Sequence, residues 1–282
     1  MKRPLSVAMD SSPGSLAAVR WAVAEAERRG VPLRLVHVWP VPRKGIPAAD
    51  APPLDVDERT RQELARVHPE LTTEFCQISG DPVDELLAVG RDSELMVLGS
   101  RGLGGFEGLM VGSVSLAVAS HAEVPVVLVR AGRRGIPAPA DAGEVVVGVD
   151  TRHRIHPVIG FGLEEAAMRQ APVRFLHIWG APAVGYPGAL VTQIDLAELQ
   201  RCESEALGEA IGDWRGKFPD VEVVDDVRLD EPARALVEAS RKASLVVVGR
   251  RGREHGFGVH LGPVAHAVIH HSHAPVAVIP VP

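Results

Sequence analysis

The chain is poor in cysteine and lacks the long apolar runs of a membrane protein. Among its 282 residues only Cys76 and Cys202 are cysteines, too few and too far apart for a disulfide framework. We find no apolar run of membrane-spanning length and no signal-peptide pattern. The sequence therefore predicts a cytoplasmic protein that has no membrane partner.

An excess of basic residues is also missing. Lys and Arg number 30 against 36 Asp and Glu, which gives a net charge of −6. Nucleic-acid-binding proteins usually present a basic face to phosphates, and aromatic residues that could stack on bases make up only 4% here. We expect no nucleic-acid partner. What the chain does have is 46% hydrophobic residues, enough for the packed cores of two domains.

Short apolar runs alternate with helical segments through the first half of the chain. This alternation predicts an α/β fold, a doubly wound parallel sheet with helices on both faces. The five predicted strands of this half lie at residues 6–10, 33–39, 71–78, 95–98 and 125–129.

The second half of the chain repeats the first. Asp150 matches Asp10 at an offset of 140, and Gly249 matches Gly99 at an offset of 150, so about ten residues are inserted between, most simply in the polar helix near 195–217. We therefore predict two doubly wound domains, each with a five-stranded sheet. They occupy residues 1–131 and 144–282, and a Gly-, Pro- and Ala-rich linker joins them at 132–143.

A spaced glycine motif follows the fourth predicted strand. Gly99 and Gly102 are followed by nine residues and then by Gly112-Ser113 at the start of a helix. Glycines at a strand exit let backbone N–H groups approach an anion, and the helix start adds N–H groups, a hydroxyl and a positive dipole end. The motif fits phosphate binding, although it is neither a Walker A loop nor a dinucleotide fingerprint. A tight connection without a ligand is the alternative.

Asp10 ends the first predicted strand. If strands 1 and 4 are neighbours where the strand order reverses, Asp10 and Gly99 lie on two sides of one ligand crevice. A carboxylate there suits the hydroxyls or base of a nucleoside whose phosphates lie at the glycines, which favours a nucleotide. A turn or helix-cap role before Ser11-Ser12 is the other interpretation of Asp10.

The glycine motif, the segment Val-Ala-Met-Asp-Ser-Ser at 7–12 and the Val-His-Val of strand 2 resemble the universal stress protein family in its tandem-domain form. The resemblance implies an adenine nucleotide alpha hydrolase-like fold with strand order 3-2-1-4-5 and ATP, with or without Mg²⁺, as ligand. By this resemblance the phosphates and ribose would contact Gly99, Arg101, Gly102, Gly112, Ser113 and Val114, and the adenosine end would contact Ala8, Asp10 and Val38.

The resemblance also implies a nucleotide-dependent regulatory or binding module of the stress response. Family members are commonly dimers along the fifth strand, so we expect a homo-oligomer or an intrachain pseudo-dimer, and a downstream protein partner that the sequence does not identify. Segments 125–129 and 275–281 are apolar and carry no charge in their middles, as suits edge strands that pair.

The second domain departs from the motif. Pro263 replaces Ser113 and removes both a hydroxyl and an N–H group, while a proline in the first helical turn leaves the fold intact. The sequence predicts a weak, altered or absent nucleotide site here, in a half that serves as a dimerisation partner. Binding of a different anion by Arg250, Arg251 and Arg253 is the alternative.

Catalytic and metal chemistry have weaker support in the sequence. His266 and His270 are four residues apart on a predicted helix, but no thiolate or clear carboxylate set completes a site, so we expect no metal. Ser113 has no recognisable His-carboxylate partner, and Glu107 is the only acidic candidate in the glycine loop. We expect binding without catalysis, with a slow ATPase or another nucleotide-processing enzyme as the alternative.

Overall fold

The computed structural model describes most of the chain. The described residues are 2–39, 55–102, 111–131, 143–153, 155–180, 196–251 and 261–281, and the side chains of 55–58 and 251 are not described. Most of the predicted linker and the loop residues Glu107 and Arg253 lie outside these ranges. The chain divides into two compact units, Met1–Ala140 and Asp141–Pro282. Within the described ranges, no helix combines the length and apolarity needed to cross a bilayer.

The first unit is a five-stranded parallel sheet with the order β3-β2-β1-β4-β5. This is the predicted order 3-2-1-4-5, and the predicted α/β fold is confirmed. The elements in chain order are β1 Leu5–Ala8, α1 Pro13–Arg29, β2 Leu33–Trp39, α2 Asp55–Val67, β3 Thr73–Ser79, α3 Pro82–Arg91, β4 Leu95–Gly99, α4 Ser113–His121 and β5 Val126–Val129.

The second unit repeats this topology with the order β8-β7-β6-β9-β10. Helix α6 has 20 residues where α2 has 13, so part of the extra length of this unit lies in that helix. The elements are β6 Glu144–Val149, α5 His156–Arg169, β7 Val173–Trp179, α6 Leu196–Arg215, β8 Val223–Leu229, α7 Pro232–Ala239, β9 Ala243–Arg251, α8 Pro263–His271 and β10 Val276–Val281.

Both faces of each sheet are covered by helices. The chain of the first unit runs from β1 outward to β3 and then returns to β4, and right-handed crossovers place α1 and α2 on one face and α3 and α4 on the other. Helix α1 packs on β1, β4 and β5, and α3 contacts α4. With helices on both faces of the sheet, β4 and β5 are apolar and buried along their whole length, which is why they appear as unbroken apolar runs.

Local capping fixes where α1 begins, immediately after the exit of β1. The Ser12 hydroxyl oxygen accepts the N–H of Ser15 at 3.1 Å, and Pro13 occupies the first helical turn. The helix ends at Arg29, and its C-cap Gly30 has a left-handed φ of 59°. The start of α1 is therefore held at the carboxyl edge of the sheet, where the candidate site lies.

Candidate functional site

The candidate site lies at the carboxyl edge of the first unit, where the strand order reverses. Strand β1 ends at Ala8 and β4 ends at Gly99, and the two strands are hydrogen-bonded neighbours. The chain continues from β1 to β2 on one side and from β4 to β5 on the other. Such a reversal leaves a crevice beyond the strand ends, the usual ligand position in doubly wound sheets.

Asp10 lies in this crevice, and its two carboxylate oxygens have different surroundings. Oδ1 accepts the N–H of Ser12 at 3.0 Å, which fixes the turn between β1 and α1. Oδ2 lies so close to Gly102 that a methyl group added there would collide with it. Asp10 is thus a turn residue and is also placed against the glycine loop, so the two interpretations of the sequence are compatible.

The N-terminus of α1 packs tightly on the residues that follow β4. A Cβ on Gly99 would lie 2.5 Å from the Gly14 carbonyl carbon, and one on Gly14 would collide with the Arg101 carbonyl oxygen. The Ser12 hydroxyl donates to that same oxygen at 3.3 Å. Glycine at 14 and 99 is therefore required by close backbone approach, and the loop is held in place by α1.

Helix α4 begins at the other side of the glycine loop. Its N-cap, Gly112, is extended at φ −77° and ψ 153° and has no side-chain capping bond, so the N–H groups of the first turn point out of the helix end. Ser113 is exposed, whereas the Ser115 hydroxyl donates to the Gly99 carbonyl oxygen at 2.7 Å. This geometry offers backbone donors and a helix dipole to an anion.

Gly112 differs in one respect from the sequence interpretation, which counted its N–H among the anion donors. That N–H donates to the Ser100 carbonyl oxygen at 2.7 Å. A Cβ on Gly112 would be in ordinary contact with Gly102 N at 3.8 Å, so the two motif glycines face each other closely. The N–H of Gly112 is therefore engaged within the protein, and the missing side chain leaves space beside Gly102.

The residues predicted for the adenosine end lie on the β1–β2 side of the crevice. Ala8 pairs with Val36 in the register of β1 and β2, and Val38 lies two residues further along β2, where it is partly buried. The structure thus brings the predicted residues to one edge of one sheet, on three strand ends and one helix start. They are Ala8, Asp10, Val38, Gly99, Arg101, Gly102, Gly112, Ser113 and Val114.

Arg130 is a charged residue that the sequence interpretation did not consider. It follows the last residue of β5 directly and is half-buried. Burial lowers the pKa of its guanidinium, and the positive charge of nearby Arg101 lowers it further. The signal that could have found it is its position: in the order 3-2-1-4-5, a residue just after β5 lies beside the end of β4.

The corresponding edge of the second unit is occupied by charges of the protein itself. Asp150, which matches Asp10, accepts from the Nε of Arg152 at 2.9 Å, and His153 Nε2 lies 3.7 Å from its other oxygen. Burial raises the pKa of Asp150, but the hydrogen bonds and charge of Arg152 outweigh burial and hold this pKa below its usual range. Arg152 stands where the first unit has Ser12.

His177 extends this set of polar contacts. It is 1% exposed, with Nδ1 at 3.0 Å from the Val149 carbonyl oxygen and Nε2 at 2.8 Å from Glu203 Oε2. Both ring nitrogens therefore have partners within the unit, as expected of a satisfied core histidine.

The start of α8 completes the difference between the units. Gly262 is the N-cap without a side-chain capping bond, as in α4, but Pro263 then occupies the first turn and offers no N–H. Three arginines were proposed to bind another anion. Arg250 is 7% exposed, whereas the side chain of Arg251 and the whole of Arg253 are not among the described parts of the chain.

The predicted histidine pair is close together on α8. The ring centroids of His266 and His270 are 4.4 Å apart. In the part of the chain that the structure describes, no group of three or more His, Cys, Asp or Glu residues is placed to hold a metal ion.

Comparison with known proteins gives one consistent result. The model of the Universal stress protein family matches residues 1–130 and 143–280. Universal stress protein Rv2623 of Mycobacterium tuberculosis is 32% identical over 292 residues, covering 96% of this chain and 94% of that protein. Universal stress protein Rv2005c of the same organism is 30% identical over 291 residues, covering 96% and 95%.

A solved structure agrees at the level of the fold. A universal stress protein from Archaeoglobus fulgidus superposes with a TM-score of 0.66 at 19% identity, covering 99% of each chain. A functionally unknown protein, PA1789 from Pseudomonas aeruginosa, gives 0.65 at 13% identity, covering 99% of this chain and 92% of that one.

Proposed function

This chain belongs to the universal stress protein family, and from that premise we propose that its first unit binds an adenine nucleotide, ATP in particular, as a regulatory module of the stress response. The observation that carries the proposal is the convergence of Asp10, the glycine loop after β4 and the N-terminus of α4 at the strand-order reversal of the first unit. Each of these features is suited to a different part of a nucleotide.

The phosphates are assigned to the β4 side of the crevice. Backbone N–H groups at the loop and at Ser113 and Val114, together with the positive end of the α4 dipole, favour an oxyanion there. Arg101 is exposed and adds a guanidinium that suits phosphate geometry. Asp10 on the β1 side would repel a phosphate but accepts hydrogen bonds from ribose hydroxyls or from the base. A bound nucleotide would thus be oriented with its nucleoside toward β1 and β2.

One nucleotide per chain is expected, because the second unit offers a poorer site. Its Asp150 is already engaged by Arg152, and Pro263 lacks the N–H and hydroxyl that Ser113 provides. A nucleotide would have to displace the ion pair before reaching that carboxylate. We propose that this half acts as a pairing partner for a first unit.

Binding rather than turnover is the proposed activity. Ser12 and Ser115, two buried hydroxyls beside the loop, donate to backbone carbonyl oxygens of Arg101 and Gly99, so they hold the loop in place. A serine in such a bond is not poised as a nucleophile, which needs an adjacent general base.

Assembly and location remain part of the proposal. We propose pairing through the fifth strands, within one chain or between two, a cytoplasmic location, and a downstream protein that responds to the nucleotide state. The apolar, uncharged run of β5 supports the pairing.

Calorimetric titration of the full chain with ATP, with and without Mg²⁺, tests the proposal when the same samples are assayed for released phosphate. The expected result is one ATP bound per chain and no phosphate release above that of buffer. Absence of binding would overturn the nucleotide function, and multiple-turnover phosphate release would replace it with the ATPase alternative.

A further inference from the structure

The carboxyl end of β5 carries Arg130 directly beside the glycine loop. Val129 pairs with Gly99 in the register of β5 and β4, and the Ser100 N–H donates to the Val129 carbonyl oxygen at 2.7 Å. This bond continues the ladder one step beyond β4. The backbone of Arg130 therefore lies next to that of Ser100 and Arg101, at the same edge as the α4 N-terminus.

Two positively charged side chains, those of Arg101 and Arg130, thus belong to neighbouring strand ends. Arg101 is exposed and Arg130 is half-buried. Burial lowers the pKa of Arg130, and the positive charge of Arg101 lowers it further. Like charges placed close together in partly desolvated surroundings repel. An anion with more than one charge would relieve that repulsion and could accept hydrogen bonds from both guanidinium groups.

The spacing of the strands sets the length that a ligand needs to reach from Asp10 to Arg130. Neighbouring strands lie about 4.8 Å apart, so the end of β5 is about 10 Å from the end of β1, with β4 between them. In the proposed orientation, a nucleoside at Asp10 would have its first phosphate over the end of β4, at the glycines. A monophosphate ends there, and only additional phosphates extend the ligand toward the end of β5.

We propose that Arg130, acting with Arg101, determines specificity for the phosphate chain: it binds the outer phosphates of an adenosine di- or triphosphate, and the site therefore prefers ATP and ADP to AMP and cyclic AMP. This inference rests on the proposed nucleotide function. The second unit has an uncharged residue at the matching position, Pro280, and places its arginine on β9 instead, where Arg250 pairs with Pro280 in the strand register.

The test is to measure the affinities of the full chain for ATP, ADP, AMP and cyclic AMP at one ionic strength, for the parent and for Arg130→Gln and Arg130→Lys. Loss of a charged hydrogen-bonding group predicts that Arg130→Gln weakens ATP and ADP binding about tenfold or more. AMP binding should change by no more than about threefold, because that ligand does not reach β5. Arg130→Lys keeps the charge but not the planar fork, so it should recover part of the ATP affinity.

Arg91→Gln is the matched control. Arg91 ends α3 at the opposite edge of the sheet, is 67% exposed, and also carries one positive charge, so its loss should leave every affinity unchanged. Melting temperatures of all variants separate a structural arginine from a ligand-binding one. If Arg130 has a structural role, Arg130→Gln should have a lower melting temperature and should bind all four nucleotides more weakly by the same factor.

The outcomes separate this inference from the function on which it rests. If the parent binds no nucleotide, the proposed function fails. If the parent binds nucleotides but Arg130→Gln keeps the same ratio of ATP to AMP affinity, the nucleotide function stands and the specificity role of Arg130 is wrong.

Discussion

The N–H of Gly112 donates to the Ser100 carbonyl oxygen at 2.7 Å, which ties the start of α4 to the loop that follows β4. The two residues it joins lie on either side of residues 103–110, which are not among the described residues. The bond also places Gly112 beside Gly102, and a Cβ added at Gly112 would have backbone atoms of Ser100, Arg101 and Gly102 as its nearest neighbours among the described residues. The first prediction tests the space beside Gly102.

Gly112→Ala is expected to weaken ATP binding while the protein stays folded. The added methyl group would lie 3.8 Å from Gly102 N, an ordinary contact, and φ −77° is allowed for alanine. Alanine is a poorer N-cap than glycine, so a stability loss of about 0.5–1 kcal/mol is expected. The methyl group would occupy the place where a phosphate meets the loop, which should reduce affinity by at least about tenfold in calorimetry.

Gly208→Ala is the control for this substitution. Gly208 lies within α6, and a methyl group added there would meet no atom within 4 Å. Because alanine favours helix, ATP binding should be unchanged and stability slightly increased. Equal ATP affinity in Gly112→Ala and the parent would show that the space beside Gly102 is not used by the ligand.

Ser113→Pro tests the comparison between the two units. Proline is tolerated in the first helical turn, and the extended ψ of 153° at Gly112 suits the residue before a proline. The fold should therefore persist, as it does around Pro263, while both an N–H and a hydroxyl are lost. We expect the ATP affinity of Ser113→Pro to be about tenfold or more below that of the parent. The affinity of Ser113→Ala, which keeps the N–H, should fall by less. A proline variant that binds ATP like the parent would remove Ser113 from the site.

Glu165→Ala is expected to be among the most destabilising single substitutions in the second unit. Glu165 and Arg169 form an ion pair at 2.6 Å, and their side chains are 0% and 1% exposed. Removing one partner of a buried pair leaves a buried charge less well compensated, at a cost of about 3–5 kcal/mol. Urea unfolding followed by circular dichroism measures the change.

The exposed pair between Glu198 and Arg201 gives the contrast, because both side chains are 57% exposed. Glu198→Ala should leave the urea midpoint unchanged within error. If Glu165→Ala also leaves the urea midpoint unchanged, the interior of this unit accommodates the arginine without its partner. The buried pair then contributes little to stability.

Strand–helix alternation was sufficient to predict a parallel sheet with helices on both faces, because right-handed crossovers place the helices there. The strand order 3-2-1-4-5 came from the resemblance to the family. If strands 1 and 4 were neighbours at the reversal, Asp10 and the glycine loop were expected to lie on two sides of one crevice, and β1 and β4 do pair. The collision expected between a methyl group at Gly102 and Asp10 Oδ2 reflects that proximity.

Atomic partners within the loop could not be predicted in this way. Spacing alone does not reveal that the N–H of Gly112 is engaged by Ser100, because this depends on the path of the backbone between them. Arg130 was missed for a different reason: a polar residue after an apolar strand is ordinary, and its position beside Arg101 follows only from the pairing of β4 with β5. Sequence repeats likewise aligned Asp150 with Asp10 without showing the effect of Arg152.

Arg152→Ser tests how the second unit differs, since it restores the residue type found at Ser12. In the folded parent, the pKa of Asp150 lies below the value of about 3.9 expected for the unfolded chain. The ion pair therefore stabilises the fold above that value, and the contribution is lost as the pH falls through the folded pKa. Because Arg152 is 74% exposed, the stability difference at pH 7 should be below about 1 kcal/mol, and it should shrink toward pH 3.

Carbon-detected NMR titration of the Asp150 carboxyl group provides the direct measurement. Its pKa should rise in Arg152→Ser, because burial, which raises it, is no longer opposed by the guanidinium, whereas the exposed Arg241→Ser variant should leave it unchanged. The second unit of this variant should still not bind ATP, because Pro263 has neither an N–H nor a hydroxyl group. An unchanged pKa for Asp150 would mean that Arg152 does not hold this carboxylate in solution and does not account for the difference between the units.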